Sequence, residues 1–148
     1  TEEEARSQLQ QEFELMIHSN AFKMEFDAWE KECELEVTIP KFCWNFENAV
    51  FGKFRDENGN ANLPYRHFIA TPLLPCGAAD GGLQKVMGND TFGTPETNVE
   101  KAVHAFVHFV WIVSKGHFLF CDLQGLYDQS RVLRLFDPQC HTYVEHVL

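Results

Sequence analysis

Two short sequences near the C-terminal end of the chain carry residue types that suit phosphoryl or metal chemistry. Asp122 begins Asp-Leu-Gln-Gly after one apolar run, and Asp137 begins Asp-Pro-Gln after a second apolar run. A strand would fix the backbone before each carboxylate, and the loop after it would open the side chain to a ligand. In phosphoryl transfer, one carboxylate receives the proton of the attacking hydroxyl and another binds the Mg²⁺ that bridges the phosphates. Two aspartates that cap ordinary turns are the alternative interpretation.

The separation of these carboxylates depends on the hairpin that joins them. Residues 118–121 and 132–136 are apolar and predict two short strands, with a turn at 126–130. In a plain antiparallel hairpin Asp137 would lie several residues beyond Asp122, roughly 10 Å away at about 3.3 Å per residue. We therefore expect the carboxylates to converge only if residues 122–125 bend back, and Gly125 permits such a bend.

Two predicted helices must position this hairpin. Residues 2–34 contain no Gly or Pro, and their apolar residues recur at helical spacing, which predicts one long helix. It is either an ordinary amphipathic helix or one that supplies a glutamate to an active site. A second helix is predicted to start near Asn98 and to end before residues 114–116. The expected apolar stripes are Leu9, Phe13, Met16, Ile17, Phe22 and Trp29 in the first helix, and Val99, Val103, Phe106, Val107 and Val110 in the second.

The intervening sequence predicts strands and loops, so the expected fold class is α+β. Residues 37–39 look extended, 65–70 predict a strand, and the polar, glycine-containing segment 85–97 predicts a loop. Residues 41–54 are apolar and aromatic and leave the element type open. The 148 residues suffice for one domain with a real core.

Charge, cysteines and hydropathy exclude several classes of protein. The formal net charge is −10 and no Lys/Arg cluster occurs, which disfavours binding to nucleic acid or to an anionic membrane surface. The five cysteines are scattered, which favours a reduced, intracellular and cytoplasmic protein over a disulfide framework. The longest apolar run, 105–113, is too short to span a bilayer. The chain begins with Thr1 and an acidic run, so we expect no signal peptide and an excised or incomplete piece.

Four linked motifs resemble the core of the alpha-kinases, a family of atypical protein kinases. They are His104-Ala-Phe-Val-His-Phe-Val110, Ser114-Lys-Gly116, Cys121-Asp-Leu-Gln-Gly125 and Phe136-Asp-Pro-Gln-Cys-His-Thr142. The family shows the same helix, turn, loop and strand end in this order. Upstream, Phe68-Ile-Ala-Thr-Pro72 is similar to its hinge, and 85–93 to its Lys- and Gly-Asn-containing loop.

The resemblance implies a serine/threonine kinase that uses ATP and Mg²⁺ to phosphorylate a protein substrate. Asp122 would be the catalytic aspartate, Gln124 would help to hold phosphates or metal, and Asp137 would bind Mg²⁺. The hinge would contact adenine, although Thr71 stands where the family usually has Glu. The nucleotide-binding residues implied in this way are Ile69, Thr71, Leu73, Lys85 and Asn89.

The resemblance also implies a kinase-like domain truncated at both ends. Its expected parts are a long helix at 1–36, strands and hinge at 37–75, a loop at 76–97, and a helix plus catalytic hairpin at 98–148. His108 matches a family ligand of a structural zinc, but the other ligands would lie beyond Leu148, so we expect His108 to be a satisfied core histidine and Zn²⁺ to be absent.

The family's phosphate-binding lysine strand would precede Thr1, so we expect weak or no phosphotransfer by this chain alone. The alternatives are a pseudokinase or truncated module that binds nucleotide or protein, and an unrelated α+β binding domain whose motifs match by chance.

Overall fold

The architecture comes from a computed structural model, which describes residues 1–34, 37–55, 63–75, 82–88, 91 and 93–142. Two helices pack against short strands, in agreement with the predicted α+β class. The predicted turn at 56–60 and Asn89 lie outside the described residues.

The first helix, α1, runs from Glu2 to Glu32 and is capped at its start. The Thr1 hydroxyl accepts a hydrogen bond from the Glu4 N–H at 3.2 Å, and the Glu4 carboxylate accepts one from the Thr1 ammonium group at 2.6 Å. This reciprocal capping box satisfies donors that the first helical turn leaves free. The helix ends four residues before the predicted boundary at residue 36.

The predicted apolar stripe of α1 is only partly correct. Ile17 and Trp29 are exposed, whereas Phe26 is fully buried although it was not assigned to the stripe. Ser19 and Lys23 are also buried, because α1 turns its 19–23–26 face towards the second helix and the strands. Spacing alone identified the helix, but tertiary packing selected the buried face.

Lys23 lies in an aromatic environment on this face. Its ammonium group forms an ion pair with Asp27, one turn along α1, and lies 4.4 Å from the centre of the Phe42 ring. The lysine side chain is 7% exposed and that of Asp27 is 45% exposed. The buried charge therefore has both a carboxylate and a ring face as partners, as buried ammonium groups require.

The second helix, α2, runs from Asn98 to Val113 and confirms the predicted start. Thr97 and Glu100 form a capping box, with the Glu100 N–H donating to the Thr97 hydroxyl at 3.2 Å. Its buried residues are Ala102, Val103, Phe106, Val107 and Val110, so the predicted stripe is confirmed except that Val99 is only partly buried.

A tight turn connects α2 to the strand that begins at Phe118. The Gly116 N–H donates to the Trp111 carbonyl at 2.8 Å, and the Phe118 N–H donates to the Ser114 hydroxyl at 3.1 Å. Gly116 has φ +79°, a conformation that glycine adopts without steric cost. The Ser-Lys-Gly motif thus ends the helix and directs the chain into the next strand.

Eight strands occur in the described residues. They are β1 Phe42–Trp44, β2 Val50–Lys53, β3 His67–Ala70, β4 Gln84–Lys85, β5 Phe118–Cys121, β6 Gln124–Tyr127, β7 Leu133–Phe136 and β8 Gln139–Thr142. A four-stranded sheet has the order β1-β7-β6-β4, and β2–β3 and β5–β8 form separate pairs. All pairs are antiparallel except β1 with β7, which is parallel.

Several predicted loops are strands. β4 begins inside the segment predicted as loop, and β6 occupies the start of the turn predicted at 126–130. The actual turn is at 128–131, where the Arg131 N–H donates to the Asp128 carbonyl at 2.9 Å. The extended segment 37–39 joins no strand. Short polar strands are stabilised by their neighbours, and no local pattern reveals those neighbours.

An aromatic cluster fills the space between the helices and the sheet. Phe26 from α1, Phe42 and Trp44 from β1, Phe106 from α2 and Phe120 from β5 are all buried. Phe106 lies 5.6 Å from Phe26 and 5.7 Å from Phe42 between ring centres, with edge-to-face angles of 71° and 63°. Such ring pairs contribute about 0.5–1.5 kcal/mol each beyond their buried area.

Within the described part of the chain, no helix is long and apolar enough to cross a membrane. Four cysteines lie there as free thiols, namely Cys33, Cys43, Cys121 and Cys140.

Candidate active site

The two aspartates lie at a bend in one antiparallel ribbon. Cys121 of β5 faces Gln139 of β8, and Gln124 of β6 faces Phe136 of β7. Two residues lie between these pairs on each side, 122–123 on one and 137–138 on the other, so the pairing resumes in the same register after the bend. Asp122 and Asp137, at these positions, have φ values of +49° and +51°. Aspartate tolerates this left-handed conformation better than most residues, and its occurrence in both strands turns the ribbon.

This geometry corrects the predicted hairpin. Asp137 directly follows Phe136, whose partner Gln124 lies two residues after Asp122, so the two aspartates are closer along the ribbon than the several residues expected for a plain hairpin. The bend is formed by the aspartates themselves and not by Gly125. A Cβ at Gly125 would lie 2.6 Å from the Arg134 carbonyl oxygen, so glycine is required there for the close approach of β7.

The segment 84–88 lies along the Asp122 side of the bend. Lys85 of β4 pairs with Gln124 of β6. The Asp122 N–H donates to the Gly88 carbonyl at 2.9 Å, and the Leu123 carbonyl accepts from the N–H groups of Val86 at 2.9 Å and Met87 at 3.2 Å. These backbone bonds fix Asp122 through its own N–H, so that its left-handed conformation is retained.

Lys85 supplies the cation nearest to Asp122. Its Nζ lies 2.8 Å from Asp122 Oδ1, with the lysine side chain 60% exposed and the aspartate 22% exposed. Oδ1 is nevertheless sealed from solvent and accepts no hydrogen bond from a described residue. Both observations hold because charge attraction needs only proximity, whereas a hydrogen bond also needs alignment. We therefore treat the contact as a screened ion pair, which contributes about 0–1 kcal/mol.

Asp137 and Gln124 provide further side-chain oxygens near the bend. Asp137 is exposed and Gln124 is half-buried. Mg²⁺ is usually bound through one or two carboxylates, with waters and substrate phosphates filling the other positions. The Asp137 carboxylate and the Gln124 amide oxygen fit this requirement as one charged and one neutral oxygen donor. Burial raises the pKa of the adjacent Cys121 thiol, and the Asp122 charge adds to the effect, so no thiolate competes there.

The predicted hinge lies beside the other end of β7. Ile69 is half-buried in β3, Thr71 is exposed, and Leu73 is 96% exposed. Leu73 borders a cleft of about 320 Å³ that also contacts Arg134. Asp137 lies three positions after Arg134 along the chain, about 10 Å at the rise of a strand. The structure therefore brings Lys85 to Asp122 and Gln124, places Asp137 directly after the partner of Gln124, and leaves the hinge residues at a distance from them.

Asn45 links these two regions, and sequence analysis did not identify it. Its Nδ2 donates to the Pro72 carbonyl at 2.9 Å, and its backbone N–H donates to the Leu135 carbonyl at 2.7 Å. The side chain is 7% exposed. An amide within the aromatic sequence 42–46 was the available signal, because a buried amide must form hydrogen bonds.

His108 does not have the environment that was expected for it. The residue is exposed on α2, so its interpretation as a satisfied core histidine is wrong. His108 follows the buried residues Phe106 and Val107 directly, and the helical period places its side chain away from the buried face of α2. Within the described ranges, no group of three or more His, Cys, Asp or Glu residues could hold a metal ion.

Comparison with known proteins identifies the family to which this arrangement belongs. The model of the alpha-kinase family matches residues 1–147, which is almost the whole chain. The chain belongs to the alpha-kinase family. The predicted resemblance and the mixed helix and strand class are thereby confirmed for this alpha-kinase chain.

A solved structure of a novel alpha kinase from Entamoeba histolytica is similar in sequence. It is 27% identical over 55% of this chain, with a TM-score of 0.40. The alpha-kinase chain spans 27% of the length of that protein. None of the curated proteins matches this alpha-kinase chain.

Proposed function

We propose that this alpha-kinase chain forms the phosphoryl-transfer site of a serine/threonine protein kinase. The observation that supports this most is the bent ribbon, where Lys85 lies beside Asp122 and Asp137 directly follows the partner of Gln124. Two carboxylates, an amide and an ammonium group in one place match the parts that phosphoryl transfer requires. Ordinary turn-capping aspartates would need neither the lysine nor the adjacent amide.

Asp122 is the proposed catalytic base. A serine or threonine hydroxyl oxygen of the substrate forms a bond to the γ-phosphorus of ATP, and the bond from that phosphorus to the β,γ-bridging oxygen breaks. The hydroxyl proton passes to the Asp122 carboxylate, and ADP leaves with the bridging oxygen. Lys85, whose ammonium group lies 2.8 Å from Asp122, orients that carboxylate and offers positive charge to the phosphate oxygens.

Asp137 and Gln124 are the proposed ligands of Mg²⁺. Bound there, Mg²⁺ supplies positive charge that neutralises the β- and γ-phosphate oxygens. Gln124 belongs to β6 and faces Phe136, the last residue of β7, and Asp137 directly follows Phe136. Their spacing is thus set by the strand pairing rather than by a loop, which keeps the ligands in place.

The cleft beside the hinge is the proposed binding site for adenine. Leu73 and its neighbours line about 320 Å³ next to Arg134, within the usual size range of about 300–1,000 Å³ for small-molecule sites. Residues 72–75 line this cleft, whereas Ile69 and Thr71 do not, so backbone groups of the segment after Thr71 would recognise the base edge and the threonine side chain is not essential for that contact. The strand from Arg134 to Asp137 would then guide the nucleotide from hinge to metal.

A second candidate function is nucleotide binding without transfer. The Lys85–Asp122 ion pair supports it, because the ammonium group lies 2.8 Å from a carboxylate oxygen that would otherwise face the substrate hydroxyl. In that case Asp137 would still bind Mg²⁺ and the cleft would still bind adenine, but no hydroxyl would be phosphorylated.

A single-turnover assay tests the proposal. The assay contains labelled ATP, Mg²⁺, a peptide rich in serine and threonine, and the chain in excess over ATP. We expect slow formation of phosphopeptide. Asp122→Asn should reduce this rate by about 100-fold or more, the usual contribution of a general base. The matched control Glu14→Gln, on the exposed face of α1, removes the same charge and should leave the rate unchanged. ATP binding without any transfer would favour the second candidate, and transfer that survives Asp122→Asn would refute the proposed base.

A further inference from the structure

Asn45 bonds to both segments on which the proposed nucleotide site depends. It follows β1, whose parallel pairing with β7 places Trp44 opposite Leu135. From there its backbone N–H donates to the Leu135 carbonyl at 2.7 Å, and its side-chain amide donates to the Pro72 carbonyl at 2.9 Å. One buried residue therefore bonds both to the strand that leads to Asp137 and to the segment that follows β3.

The segment that contains Pro72 has little regular structure to hold it. Residues 71–75 belong to no helix or strand. Proline has no N–H, so its carbonyl is the only backbone group through which Pro72 forms a hydrogen bond. The bond from Asn45 uses this group and joins residues 27 apart in sequence.

The position of Asn45 between two openings supports a role at the site. It borders the cleft of about 320 Å³ that contains Leu73, and also a small cavity of about 10 Å³ that contains Asp137. The side chain is 7% exposed, so neither opening gives solvent enough access to replace the bond. A change at Asn45 would therefore alter the spacing between hinge and metal ligand.

We infer that Asn45 is a positioning residue that fixes the hinge carbonyl of Pro72 against β7 and so sets the distance from the adenine site to Asp137. The inference depends on the proposed nucleotide site. A ligand that occupies both ends of the site requires the correct spacing, whereas a ligand that occupies only the phosphate end does not. This difference separates a positioning role from a merely structural one.

Two ligands and one substitution test the inference. Asn45→Leu keeps the branching of the side chain at Cγ, adds no charge and removes the donor to Pro72. Calorimetry would measure the binding of ATP with Mg²⁺ and of inorganic triphosphate with Mg²⁺ to the chain and to this variant. We expect ATP to bind about tenfold more weakly, the loss that one well-formed hydrogen bond can produce, and triphosphate affinity to change by less than about twofold.

Ser114→Ala is the matched control, because it also removes a side-chain hydrogen bond to the backbone but lies at the end of α2. It should leave both affinities unchanged. If Asn45→Leu does not fold, by circular dichroism, Asn45→Ser replaces it, with the same expected difference between ligands.

Equal affinities for ATP in the variant and the wild type, or an equal loss for both ligands, would overturn the inference while leaving the proposed function intact. If the folded wild-type chain binds neither ligand, the proposed site itself is refuted, and the role of Asn45 fails with it.

Discussion

Gly125→Ala is the substitution whose cost follows most directly from the geometry of the bent ribbon. Gly125 lies in β6 opposite Leu135 of β7. A methyl group there would lie 2.6 Å from the Arg134 carbonyl oxygen and 3.0 Å from Leu133 Cδ1. Because the first of these atoms belongs to the backbone, it cannot rotate away, and β6 must separate from β7.

The magnitude of the effect comes from this overlap. Forcing extra volume into a packed region costs about 1–3 kcal/mol, and the weakened strand pairing makes about 2 kcal/mol a reasonable central value. In a chain of this size each kcal/mol lowers the melting temperature by about 2–4 °C, so we expect a decrease of about 4–8 °C. The separation would also displace Gln124, which directly precedes Gly125.

Thermal unfolding followed by circular dichroism measures this decrease. Gly82→Ala is the control, since its added methyl group meets no atom within 4 Å and only the φ of +67° is unfavourable. That conformation costs an alanine about 1–2 kcal/mol, so the control isolates backbone strain from steric overlap. A Gly125→Ala chain that melts within about 1 °C of the wild type would refute the described approach of β7 to β6.

Three further predictions concern the rest of the molecule. Asp27→Asn should lower the free energy of unfolding by about 2 kcal/mol in a urea titration, because it leaves the buried Lys23 ammonium without its carboxylate partner; an unchanged midpoint would contradict this. Burial raises the pKa of the Cys140 thiol to about 11, so at pH 8 iodoacetamide should label exposed Cys33 well before Cys140. Peptide mass spectrometry measures the two labelling rates, and equal rates would contradict the described burial of Cys140. The hydrogen bond from Arg134 lowers the pKa of Asp128 below its usual value of 3.8. The ionised carboxylate therefore stabilises the fold above pH 3.8, and this contribution is lost as the pH falls through the lowered pKa of the folded state. Asp128→Asn should therefore be less stable than the wild type at pH 7, with a smaller further loss on acidification, and parallel stability curves for the two chains would contradict this.

Both helices could be predicted because their signals are local. An uninterrupted apolar repeat identified α1, and the apolar stripe of α2 is buried almost as predicted. The face that α1 buries could not be predicted, since Phe26 and Lys23 are selected by the aromatic rings of β1 and α2. Amphipathic spacing shows that one face will be buried but not what that face will meet.

The ribbon that carries Asp122 and Asp137 was predicted in its motifs but not in its shape. The sequence predicts strands only at 118–121 and 132–136, yet β8 begins at Gln139 and pairs with β5. Proline can stand immediately before a strand because only its own N–H is missing from the ladder. The bend depends on positive φ at two aspartates, and no sequence pattern distinguishes these from aspartates in ordinary turns.

The hydrogen bonds of Asn45 were equally inaccessible from the sequence. They require β1 to lie parallel to β7, a pairing between residues about 90 positions apart. Local patterns carry no information on such pairings, so the link from Pro72 through Asn45 to β7 becomes visible only in the folded chain.

Binding of ATP in the presence and absence of Mg²⁺ is the most direct test of the central claim. Calorimetry should compare the chain with Asp137→Asn, which removes one charge and still tolerates the φ of +51° that alanine would not. We predict Mg²⁺-dependent binding by the wild type, at least about tenfold weaker in Asp137→Asn, and unchanged in the Glu14→Gln control. Absence of binding by a folded wild-type chain, or binding that neither Mg²⁺ nor Asp137→Asn alters, would contradict a metal–nucleotide site at the bend.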